Sequence, residues 1–166
     1  IAFEHVRHEE TAAFAAGAEA SLTGKLTVCA GSSGPGNLHL INGLFDCHRN
    51  RVPVLAIASH IPQSEVGLNY FQETHPENLF KECSCFCELI SNPKQMPEIL
   101  FRAMNAAVGN QDVAVIVLPG DVAVMETEID ELPVWHHPRL PHIVPQREDI
   151  EEMSAHLEKG ERITLF

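Results

Sequence analysis

The sequence predicts an α/β fold: an open, doubly wound parallel sheet with helices on both faces. Two observations carry this. Short β-branched runs alternate with longer segments of helical periodicity along most of the chain. Runs such as "VPVLAIAS" are apolar without interruption, the pattern of a parallel strand covered on both faces rather than of a half-wet antiparallel one.

Taken in order, a first strand is expected to end near Val6. "EETAAFAAGAEASL" then reads as a helix, rich in the best helix former, with Phe14 and Leu22 marking its apolar side and Gly24 placed to stop it. "KLTVCA" is a buried strand and "GSSGPG" a turn. "NLHLINGLFDCHRN" is a helix with Asn37 as cap and Leu38, Ile41, Leu44 and Phe45 at helical spacing. "VPVLAIAS" is the next strand, "PENLFKEC" a short helix and "FCELI" a strand. "NPKQMPEILFRAMNAAVGN" is a long helix with Ile99, Leu100, Ala103 and Ala107 in one stripe, and "DVAVIVLPGDV" a strand ending in a turn. In such sheets ligands bind outside the carboxyl ends of the strands, so the loops after Val6, Ala30, Ser59 and Leu118 are the informative ones.

Residues 1–125 form this unit. From 126 to 148 the composition turns to Pro, His and acids without periodicity, as in a linker over a surface. Residues 149–166 read as a helix and a strand, too little to bury a core and so the start of a second domain. Both ends look cut: the chain lacks a starting Met, and a first strand and helix of the sheet are expected to be missing.

Charge and cysteine content exclude several functions. With 23 acidic against 11 basic side chains the formal charge is −12, without a basic run, which speaks against nucleic-acid binding. No apolar stretch approaches the roughly 20 residues that span a bilayer, and the N-terminus has no secretion signal. Five cysteines, an odd count, fit reduced thiols in a cytoplasmic protein. "CSCFC" lacks the four-ligand pattern of structural zinc, so no metal ligands are assigned and the thiols are expected to pack as small hydrophobes.

Two motifs invite chemistry. "GSSGPG" can offer backbone N–H groups to an anion, but its glycines do not match G-x-G-x-x-G and no Gly-Lys-Ser/Thr follows, so alone it reads as a tight turn permitting close approach. In "RHEE", negative charge suits a first helical turn. That suffices for Glu10. Glu9 differs because it lies where a strand ends and ligands bind. His39 sits on the helix after the glycine turn, and Phe71 in the polar-aromatic loop "YFQETHPENLF".

Together, "RHEETAAFAAGAEASLTGKLTVCAGSSGPGNLHLINGLFDCHRNRVPVLAIASHIP", "YFQETHPENLFKEC" and "VIVLPGDV" resemble, in order, the N-terminal pyrimidine-binding domain of thiamine-diphosphate enzymes, most of all bacterial pyruvate oxidase, also called pyruvate dehydrogenase (quinone). The resemblance runs from Val6 through the linker. It implies that Glu9 matches the glutamate that hydrogen-bonds the aminopyrimidine of thiamine diphosphate, favouring the imino tautomer that helps remove the thiazolium C2 proton before attack on pyruvate. A carboxylate in a dry site would have its pKa raised. Gly34, Pro35 and Gly36 match the loop beside the pyrimidine ring and subunit interface, and His39, Phe71 and Gln72 match positions lining the substrate side. The diphosphate and Mg²⁺ would be held by a Gly-Asp-Gly domain not recognisable here, and FAD by a central domain of which residues 149–166 would be only the start, with "ERITLF" its first strand. The site would form between two copies in a dimer or dimer of dimers, so this chain would supply half of it and be inactive alone. The parent would convert pyruvate to acetate or acetyl phosphate plus CO₂ and pass electrons through FAD to quinone or oxygen, with peripheral membrane contact through other segments. The alternatives are acetolactate synthase or another 2-oxoacid decarboxylase, and a non-catalytic domain docking on a full-length relative.

Overall fold

The computed structural model describes residues 2–128, 134–136, 138 and 143–164. Helix α1 spans Glu9–Thr23, strand β1 Thr27–Gly31, helix α2 Pro35–Arg49 and strand β2 Val54–His60. After a loop come the short helix α3, Pro76–Leu79, and strand β3, Phe86–Leu89. Helix α4 is Met96–Asn110, strand β4 Val113–Pro119 and the short helix α5 Gly120–Ala123. Helix α6 is Arg147–Glu158.

The four strands are all parallel, in the order β1-β2-β4-β3. The chain moves from β1 to β2, passes over the place of β4 to reach the far edge, and returns. Right-handed crossovers made in opposite directions put their helices on opposite faces. Accordingly Ala13, Ala16, Leu40, Leu44, Cys47 and Phe80 pack with Val54, Ala56, Val113 and Val115 on one face. On the other, Ile99, Ala103 and Ala107 of α4 pack with Leu55, Ala114 and Ile116. This is the doubly wound arrangement expected from the alternating pattern.

The small residues of α1 explain its position. Ala13, Ala16, Gly17 and Ala20 are buried, which lets the backbone approach its neighbours: Thr27 Oγ1 donates to the Ala16 carbonyl at 2.8 Å and Cys47 Sγ to that of Ala13 at 3.5 Å. The helix ends on Gly24 at φ 66°, whose N–H bonds back to Ala20.

Several expectations are corrected. Residues 2–8 form no strand, because they meet no sheet partner among the described residues. Phe14 and Leu22 are not the buried side of α1; they are exposed, since the face toward α2 and β1 admits only small side chains. β1 is buried on one face only, with Val28 56% exposed, because it is the sheet edge and α4 covers the other three strands. Leu38 on α2 is exposed as well. Asn37 does not cap α2. The cap is Gly34 with Pro35 at the first helical position, and Asn37 is fully buried, its amide donating to the Ser59 carbonyl at 2.8 Å. Of the terminal "RITLF", Ile163 and Thr164 are not in a strand and residues 165 and 166 lie outside the described residues. The thiols of "CSCFC" separate: Cys83 is buried, Cys87 half-buried and Cys85 exposed. Within the expected linker, Trp135 is fastened to α4, its indole N–H donating to Asn105 Oδ1 at 3.2 Å.

No helix among the described residues is long and apolar enough to cross a membrane.

Candidate active site

The starts of α1 and α2 meet at the carboxyl end of β1. His8, in extended backbone, caps α1, its Nδ1 accepting the Glu10 N–H at 3.3 Å. This directs Glu9, the first residue of the helix, toward the turn after β1. There Ser32 Oγ donates to Glu9 Oε1 at 3.2 Å, and His39 Nδ1 lies 3.3 Å from Glu9 Oε2. The His8 and His39 rings stack with centroids 4.3 Å apart. Glu9, half-buried, is thus held by side chains from the turn and from the second turn of α2.

Two glycines make this approach possible. Gly36 lies against the carboxylate; a Cβ there would stand 2.8 Å from Glu9 Oε1 and collide with Ser32 Oγ. Gly34 sits at φ 67°, in the left-handed region, and a Cβ there would stand 2.9 Å from the Gln72 carbonyl oxygen. Gln72 therefore packs directly on the turn, its amide donating to the Ser33 carbonyl at 3.4 Å. Pro35 gives up no needed donor at the first helical position.

Glu9 remains ionised to lower pH than an ordinary carboxylate. Its own backbone N–H, at the start of the helix, is the main cause; burial opposes, and the His39 and Ser32 hydrogen bonds add to the lowering. The raised pKa expected of a dry site is not found, because the carboxyl is still 29% exposed and surrounded by donors.

The structure brings Glu9, Gly34, Pro35, Gly36 and His39 to one place and seats Gln72 on its rim. Phe71 is not brought to Glu9: it is 85% exposed and leans on Tyr70. Sequence reasoning passed over Ser32 and His8, whose roles come from tertiary juxtaposition, although His8 stands in "RHEE" and Ser32 in "GSSGPG". It also treated Glu10 as only a helix-start charge. In fact Asn42 of α2 donates to the Glu10 carboxylate, so Glu10 ties the two helices together. Further in, His60 is buried at the end of β2, its Nδ1 without a hydrogen-bond partner among the described residues, as is Asn37 Oδ1; burial lowers the His60 pKa. His8, Glu9 and His39 also form the one group of three potential metal-ligating side chains found among the described residues.

Comparison with known proteins places the chain in a class. Residues 1–79 match the family model of the thiamine pyrophosphate enzyme N-terminal TPP binding domain, and the chain belongs to that family. It is 59% identical over 163 residues to an uncharacterized 42.6 kDa protein of Pseudomonas amyloderamosa, covering 98% of this chain and 41% of that one. It is 38% identical over 122 residues to a pyruvate oxidase of Lactiplantibacillus plantarum, 74% of this chain and 20% of that one. It is 36% identical over 130 residues to an acetolactate synthase of Arthrospira platensis, 78% and 22%. The chain thus spans less than half the length of each of these relatives.

Proposed function

We propose that this chain supplies the pyrimidine-ring side of a thiamine-diphosphate site in an enzyme of the pyruvate oxidase kind, which converts pyruvate to acetate or acetyl phosphate plus CO₂ and passes electrons through FAD to quinone or oxygen. The observation that carries the reading is Glu9: an ionised carboxylate held at two helix starts with a glycine beside it. The residues fit the group: the Glu9 carboxylate is still 29% exposed, and Gly36, with no Cβ, lets Ser32 and Glu9 close on each other and hold it in place.

When bound, thiamine diphosphate supplies the carbanion chemistry at the 2-oxo carbon. The chain's own residues bind and orient. Glu9, ionised, would accept a hydrogen bond from a protonated ring nitrogen. Ser32 and His39 fix its two oxygens, so the carboxylate does not have to reorganise when the ring arrives. Gly34 and Pro35 set the turn, Gln72 closes its rim, and exposed Phe71 is free to meet substrate or a second copy. FAD, Mg²⁺ and the diphosphate anchor belong, in this reading, to parts of the enzyme other than these residues and to a partner copy in a cytoplasmic dimer or dimer of dimers.

The second reading, acetolactate synthase, is favoured by nearly equal identity to that relative, 36% against 38%. Product analysis separates the two. The complete enzyme given pyruvate, FAD, Mg²⁺ and a quinone should form acetate or acetyl phosphate and reduce the acceptor; acetolactate with an unreduced acceptor selects the second. In either, Glu9→Gln should slow C2 proton exchange of bound thiamine diphosphate, by about a hundredfold or more if the carboxylate assists the proton transfer. An unchanged rate removes Glu9 from the reaction.

A further inference from the structure

His8, Glu9 and His39 each present a ligand-type atom, and these three atoms lie within 4.8 Å of one another. We propose that they form a binding site for a divalent transition-metal ion, zinc in the first place. The inference rests on this cluster alone; because the ion would share Glu9 with the proposed pyrimidine contact, it concerns the chain without bound thiamine diphosphate.

The spacing suits such an ion. His39 Nδ1 and Glu9 Oε2 are 3.3 Å apart, which is about the edge of a tetrahedron whose zinc–ligand bonds are roughly 2.0–2.1 Å. An ion seated off that edge is in reach of both. The third side chain, His8, stacks on His39; its present bond from the Glu10 N–H is long, at 3.3 Å, and exposed, so ligation can replace it. Two imidazoles and one carboxylate are a donor set for zinc, nickel or copper. It is not one for Mg²⁺, which takes oxygens and keeps several waters. Three protein ligands leave a fourth position open for water.

The cluster is also accessible and preorganised. His8 and His39 are 46% and 47% exposed, so an ion enters without unfolding. The ligands come from two helices that are fixed to each other by the Asn42–Glu10 hydrogen bond and the Cys47–Ala13 contact. A formal charge of −12 concentrates cations around the molecule. The positive ends of two helices oppose a cation, and the Glu9 carboxylate is the group that offsets them.

The test is titration of zinc chloride alone into the purified chain, followed by calorimetry, for wild type and for His39→Ala, with circular dichroism confirming that both fold. Other histidines, His136 among them, can bind zinc in both proteins, so the difference between the two isotherms is the reading. Wild type should bind one ion more than His39→Ala, or bind it about tenfold or more tightly, since losing even an outer-shell partner costs that much. Coinciding isotherms overturn the site. Should His39→Ala fail to fold, ring-proton NMR of wild type decides: zinc-dependent shifts at both His8 and His39 support the site, and shifts confined to other histidines overturn it.

Discussion

Glu9 and Glu10 stand side by side at the start of one helix and serve different surfaces. Glu10 reaches across to Asn42, while Glu9 turns to Ser32 and His39. The room for that turn depends on Gly36. Gly36→Ala should leave the secondary structure intact, cost about 1–3 kcal/mol through overpacking, and abolish the Glu9–Ser32 contact; thiamine-diphosphate binding to the complete enzyme, followed by fluorescence, should fall with it. The protonation of Glu9 has a sign that can be measured. Its folded pKa is depressed from 4.5, so its contribution to stability is complete above the unfolded value and is lost as pH falls through the folded one. Carboxyl-carbon NMR should show the low titration in wild type and an upward move in Ser32→Ala or His39→Ala. His60 adds acid lability by a different route. Burial disfavours its charged form, so below 6.5 the unfolded chain takes up a proton that the folded chain resists. The melting temperature should drop between pH 7 and pH 5, and the drop should be smaller in His60→Gln.

At the scale of elements, Asn37 joins α2 to the end of β2 through the Ser59 carbonyl. Asn37→Ala removes that part-buried hydrogen bond and the packing of a fully buried side chain, at about 1–3 kcal/mol, and should lower the urea midpoint without changing the denaturant slope. Much of this level was legible in the sequence. The four strands and the main helices lie where apolar runs and helical periodicity put them, because those patterns report burial directly. What was not legible has particular causes. An alanine-rich helix shows no contrast between its sides, so Phe14 and Leu22 looked like the core face when the alanines were. Asparagine is a strong capping residue, but proline at position 35 fixes the helix start three residues earlier, with Gly34 as the cap, and leaves Asn37 inside. A stretch like 2–8 becomes a strand only where a partner meets it, and local sequence does not reveal partners. The site follows the same division. Glu9, Gly34, Pro35, Gly36 and His39 could be assembled from motif and resemblance. Ser32, His8 and Asn42 could not, since what each touches is decided by how α1 crosses α2.

For the molecule as a whole, the edge of the sheet is a liability. β1 pairs only with β2 among the described residues and presents Val28 at 56% exposure; open edges template pairing with other chains. Val28→Lys should reduce aggregation of the purified chain, seen as a narrower size distribution in light scattering, with unchanged circular dichroism. The sheet order has a kinetic consequence too. The contacts that hold Glu9 span only 23 and 30 residues, all inside the contiguous α1–β1–α2 segment, whereas β4 must wait for the chain to reach the far edge and come back. Loop closure over short separations is fast, so the carboxylate geometry belongs to a local folding unit that can open and close apart from the β3–α4 side. Native-state hydrogen exchange should then find the amides of α1 and α2 exchanging together, with an opening free energy distinct from that of β3 and α4.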